Sequence, residues 1–155
     1  MRCDQLEGLA ETILRDARCG SPVDAFLLAD SLGFRLTPAG STEEGVFGLE
    51  LRFNARLPHR EQQESVMRML ARALLDRAGF YPSDHACARL TRALMLPRDA
   101  FAYDMRDVAS FEALAMRHVH ASEPLIAARA AELHTMQRRE RRLSAPALAS
   151  SSSRS

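Results

Sequence analysis

Five histidines, three cysteines and twenty acidic residues are the groups in this chain able to hold a metal, move a proton or attack a carbonyl. Their spacing says which of these tasks they suit. A zinc-peptidase helix of the HExxH type needs two histidines four residues apart on one face, with a glutamate directly after the first as general base. The histidines stand at 59, 85, 118, 120 and 134, so no pair has that spacing. His118 and His120, two apart, together with His85 and Asp84 are a candidate metal-gathering set, although ordinary junction histidines are the simpler reading. His59 and His134 read as exposed. Cys3, Cys19 and Cys87 are odd in number with no CxxC pair, which argues against a disulfide framework and a cysteine-based zinc site and fits a reducing cytoplasm. No GxSxG elbow and no glycine-rich phosphate loop occurs. Ser65, Ser83 and Ser122 read as caps or turn residues.

Charge offers two further constellations. Glu64, Arg68, Arg72 and Asp76 recur every four residues. The row is either a solvated helix face or a former metal cleft filled by charge pairing, with Arg72 and Asp76 one turn apart as a candidate ion pair. Arg138, Arg139, Arg141 and Arg142 surround Glu140, a patch that suits a helix C-terminus and could give weak, salt-sensitive nucleic-acid binding. The whole chain argues against a dedicated nucleic-acid protein: 21 basic residues, all arginine, oppose 20 acidic ones, for a net charge of +1. With no tryptophan and two tyrosines, an aromatic platform for single strands is not expected.

These groups need elements to position them. The chain has 155 residues, 46% of them apolar, enough for one domain with one core. No apolar run approaches the roughly 18–20 residues of a membrane span, and the first ten residues carry acid rather than a signal-like apolar stretch. Leu6, Leu9, Ala10, Ile13, Leu14 and Ala17 have helical spacing. Ser21-Pro22 reads as the cap and first turn of a helix over about 23–32, stopped by Gly33. Strands are expected near 34–37, 46–49 and 50–54, with Gly48 as a bulge. Further helices are expected at about 62–78, 84–96, 107–117 and 123–143. Leu70 and Leu74 should pack against Leu90 and Leu94. Residues 144–155 are rich in Ser, Ala and Pro and read as a disordered tail to a 1–143 domain. The sum is an α+β fold, mostly helical, with a small antiparallel sheet and C-terminal helices.

The order of four phrases resembles a known family. Val23–Phe34, Ser65–Gly79, Leu90–Phe101 and Leu114–Leu133 follow one another as in the ImmA/IrrE metallopeptidases, the IrrE N-terminal-like domain. The resemblance implies a zincin-like fold whose first central helix carries AHELGH and whose next helix supplies a third, acidic ligand. The matching stretch here is Ala71-Arg72-Ala73-Leu74-Leu75-Asp76. Arg72 and Asp76 take the histidine positions, Ala73 the general base and Ala86 the third ligand, with Asp84 and His85 just before it. Arginine stays protonated and offers no lone pair to a metal, and alanine moves no proton.

The resemblance therefore implies a pseudo-metallopeptidase: a cytoplasmic regulatory or protein-binding module with no cofactor, whose partner class is a DNA-binding regulator. One alternative is an active zinc endopeptidase with atypical ligands such as Asp76, Asp84 and His85. Another is a small arginine-rich helical protein associated with nucleic acid through Arg138–Arg142.

Overall fold

Helix α1 (Cys3–Asp16) and helix α2 (Ala25–Ser31) open the fold, before strands β1 (Arg35–Ala39), β2 (Gly45–Phe47) and β3 (Glu50–Asn54). Five helices follow: α3 (His59–Arg77), α4 (Asp84–Met95), α5 (Arg98–Asp107), α6 (Phe111–Arg117) and α7 (Glu123–Ser144). The structure is a computed structural model that describes residues 2–146. Most of the expected tail, residues 147–155, lies outside the described residues, and α7 runs one residue past the expected boundary at 143. The architecture is mostly helical with one small sheet, an α+β arrangement. No helix among the described residues is long and apolar enough to cross a membrane.

Helix α3 is the centre of the packing. Val66, Met67, Leu70, Ala71 and Leu75 are fully buried along one face of it, while Arg68, Arg72 and Asp76 on the opposite face are exposed. Leu70 and Leu74 join the same core as Leu90 and Leu94 of α4, as their spacing predicts. Helix α1 presents Leu6, Ala10 and Leu14 to this core, and α2 presents Leu28 and Ala29. On β3 the alternation Leu51, Phe53 turns both side chains inward, and Phe53 meets Phe26 of α2 edge to face, ring centroids 4.9 Å apart.

The sheet corrects the antiparallel expectation. Its order is β1-β3-β2: β2 pairs antiparallel with β3, but β1 pairs parallel with it, Leu36 opposite Leu51. Residues 40–44 carry the chain one strand position beyond β1, leaving a slot. Strand β3 reverses through Gly48, whose φ of +63° favours glycine, and fills that slot from the far side. Two reversals restore the direction of β1. Sequential strands usually pair with each other, which is why the alternation alone suggests a meander. Gly48 is thus a turn residue and not a bulge.

Three local expectations also shift. The cap of α2 is Asp24, not Ser21: the Asp24 carboxylate accepts the Phe26 and Leu27 N–H groups. An aspartate satisfies two first-turn donors at once and starts the helix later. Pro97 ends α4 but also opens α5, which periodicity did not suggest because Phe101 is its one fully buried side chain. The expected 107–117 helix begins only at Phe111, where Ser110 caps the Ala113 N–H. Gly33 and Gly79, with φ of +85° and +80°, do end α2 and α3 as expected. Ser83 and Ser122 cap α4 and α7.

Arg129 of α7 is completely buried. Its guanidinium donates twice to the Glu7 carboxylate of α1, once to the Leu96 carbonyl and once to Glu132. Glu132 also accepts from Arg92 of α4, at 2.7 and 2.9 Å. A buried charge is tolerated only when paired and fully hydrogen-bonded, and this network joins α1, α4 and α7 on that condition.

Candidate functional site

An open cleft of about 550 Å³ lies where β2, α3 and α4 meet. Gly45 and Val46 form one wall, and Arg68, Met69 and Arg72 of α3 form the floor. Asp84, Cys87 and Ala88 from the start of α4 close the third side. A second hollow of about 280 Å³ sits between α1 and the α4–α5 junction, remote from these residues.

The cleft is cationic. Arg72 donates a long hydrogen bond, 3.4 Å, to Asp84, whose side chain is fully exposed, so water screens the pair heavily. The expected Arg72–Asp76 pair does not form among the described residues, because α4 brings Asp84 closer to Arg72 than a helix turn brings Asp76. Arg68 forms no ion pair among the described residues. Glu64, the first of the charged row, is spent elsewhere: its carboxylate accepts the Ser122 N–H at 2.8 Å and anchors the start of α7. Burial pushes the Cys87 thiol above its ordinary range, with Asp84 adding to the effect and Arg72 and Arg68 opposing it. The thiol keeps its proton and lies 3.5 Å from the Pro82 carbonyl.

Of the motif positions read from the sequence, Arg72 lines the cleft, and Asp84 stands beside it at the rim. Ala73 is half-buried, Asp76 is exposed, Ala86 is buried, and His85 is exposed; none of the four lines the cleft. The residues of α3 that do line it, Arg68, Met69 and Arg72, stand at i, i+1 and i+4, one turn earlier than the alignment of phrases placed the vestigial triple. The zinc that the active-endopeptidase alternative requires does not fit here. Two guanidiniums offer protons where a metal needs lone pairs, Met69 supplies no base, and Asp84 is a single carboxylate. Nor does any group of three or more His, Cys, Asp or Glu side chains among the described residues have an arrangement that holds a metal.

The set His118, His120, His85 and Asp84 is not brought together. His118 is buried against Phe101, ring centroids 5.2 Å apart, with its Nε2 3.0 Å from Asp104. Burial pushes its pKa below the ordinary histidine value although Asp104 opposes the shift. His120 turns the other way, to His59, at 2.8 Å. The Arg138–Arg142 patch is exposed, with Arg141 on a separate groove beside His134, and Glu140 pairs with Arg98 of α5. Sequence reading missed the His59–His120 contact and the Glu7–Arg129 pair. Their partners lie 61 and 122 residues apart, and no local pattern announces such contacts. Comparison of the chain with protein-family models, curated proteins and solved structures finds no match.

Proposed function

We propose that this chain is a protein-binding regulatory module on an ImmA/IrrE-like, zincin-type scaffold, acting in the cytoplasm without zinc-peptidase chemistry. Its cleft receives an extended segment of a partner protein, and the partner class implied by the resemblance is a DNA-binding regulator. The observation that carries this reading is the pairing of a cationic floor with a sheet edge. In the order β1-β3-β2, strand β2 is an edge strand, and Gly45 and Val46 of that strand are also a cleft wall. An edge strand beside a groove is a template onto which an extended peptide adds by main-chain hydrogen bonds. Arg68 and Arg72 then select for an acidic side chain, since a guanidinium holds a carboxylate through two parallel N–H donors. Met69 and Val46 supply an adaptable apolar surface beside them.

Selection of displayed random peptides against the full chain tests this. Enriched sequences are expected to carry Asp or Glu within an extended apolar segment, and to lose about tenfold or more in affinity for Arg68→Gln/Arg72→Gln. One lost charge-assisted contact is worth about 1.5–3 kcal/mol, which corresponds to that change. Enriched peptides that bind the double variant unchanged would refute the cleft as the docking site.

A further inference from the structure

Remote from the cleft, three chain segments converge around one pair of imidazoles. His59 is the first residue of α3, and His120 lies in the turn between α6 and α7. Their ring nitrogens, Nε2 of His59 and Nδ1 of His120, are 2.8 Å apart, with ring centroids at 5.1 Å. On the far side of the His120 ring, its Nε2 is 3.9 Å from Asp24 Oδ2.

The positions are held from below. Gln63 is one helical turn past His59 and is buried. It donates to Asp24 Oδ1 at 3.0 Å and accepts the Ala25 N–H at 2.7 Å. Asp24 also accepts two N–H groups of α2, so its carboxylate is fixed as well as charged. Glu64, next to Gln63, ties the Ser122 N–H to α3 and so fixes the turn that carries His120. The backbone segments that carry the two imidazoles are therefore tied together at one end of α3 by hydrogen bonds that neither ring makes itself.

We propose that His59 and His120 form a two-imidazole site for a first-row divalent transition metal, Zn²⁺ being the probe of choice, with Asp24 as the outer partner of His120. An ionised Asp24 favours the proton on His120 Nε2 and leaves the Nδ1 lone pair facing His59. At 3.9 Å the carboxylate acts on the ring through its charge, without a direct hydrogen bond, in the outer position that carboxylates take beside metal-ligating histidines. Between neutral rings the short contact is a hydrogen bond from His59 Nε2–H to His120 Nδ1. A metal takes the place of that proton, which moves to His59 Nδ1, so His59 changes tautomer and no net proton is lost. Zinc–nitrogen bonds of about 2.0–2.1 Å at a tetrahedral angle need the two nitrogens about 3.3 Å apart, roughly 0.5 Å more than the hydrogen bond. His59 is exposed at a helix start and has room to make that shift. Water completes the coordination, which keeps the site open and its affinity modest. This site is independent of the cleft reading, because no residue is shared between them.

Isothermal titration of Zn²⁺ into the untagged full chain, and into His59→Ala, His120→Ala and Asp24→Asn, tests the proposal. Asn retains the helix cap, so Asp24→Asn isolates the charge. One Zn²⁺ per chain is expected, weakened at least tenfold by either alanine and about tenfold by Asp24→Asn. Histidine-ring ¹⁵N spectra of the wild-type chain should show the Zn²⁺-induced shifts at His59 and His120, while His85 and His134 stay unmoved. Arg68→Gln/Arg72→Gln should bind as wild type. Binding that survives either alanine variant, or ring shifts centred on His85 or His134, would overturn the site.

Discussion

Arg129 keeps its charge with no access to water, and the whole burden of solvating it falls on Glu7, Glu132 and one carbonyl. Burial disfavours that charge, yet the two carboxylates outweigh the effect and hold the guanidinium pKa above its ordinary value. Removing one partner leaves the other buried and unpaired. Arg129→Met is therefore expected to cost about 3–5 kcal/mol in urea unfolding, and Glu7→Gln combined with it clearly less than the sum of the two single changes. His118 gives a second prediction at this scale. Its folded-state pKa lies below the unfolded one, so the unfolded chain takes up the proton first. The stability it contributes is present above the ordinary histidine value of about 6.5 and declines as pH falls through it. His118→Gln, which keeps a donor toward Asp104, should flatten the loss of unfolding free energy between about pH 7.5 and 5.5 relative to wild type. An unchanged slope would mean that other groups carry the acid sensitivity. Neither network was visible in the sequence. Glu7 and Arg129 each sit in an ordinary helical pattern, and only the fold reveals that they meet.

At the scale of elements, signals that depend on local chemistry survived and signals that depend on neighbours did not. Gly33, Gly79, Ser83 and Ser122 act where the sequence places them because each satisfies, or permits, one helix end by itself. Ser21 yielded to Asp24 because the winning cap is also tied to Gln63 on another helix. Helix α5 leaves no periodic signal because it buries a single large side chain, and local alternation does not reveal that β1 runs parallel to its neighbour, which comes two strands later. The packing of α3 on α4 is legible from the four-residue spacing of Leu70 and Leu74 and of Leu90 and Leu94. Leu70→Ala should cost about 2–5 kcal/mol, since the site is closed on every side. Leu27→Ala on the exposed face of α2, where the side chain is 65% exposed, should change stability by less than about 0.5 kcal/mol. A comparable loss at both positions would mean the helices are packed differently.

At the scale of the molecule, α3 lines the cleft with residues one turn before the vestigial positions that the family resemblance implies. Arg72, one of the positions the resemblance implies, lines the cleft. Ala73, Asp76, Ala86 and His85 do not, and the exposed Arg68 and half-buried Met69 line it instead. Apolar spacing locates a helix and its buried face well, but where along that helix a cleft opens is set by tertiary contacts, here those of β2 and the start of α4. The most direct measurement of the central claim is a ¹H–¹⁵N titration of the full chain with an acidic peptide enriched by display. The account predicts shifts concentrated at the amides of Gly45–Phe47 and at the Nε groups of Arg68 and Arg72, and their disappearance in Arg68→Gln/Arg72→Gln. Shifts that spread instead over the exposed Arg138–Arg142 segment, with β2 unmoved, would contradict it.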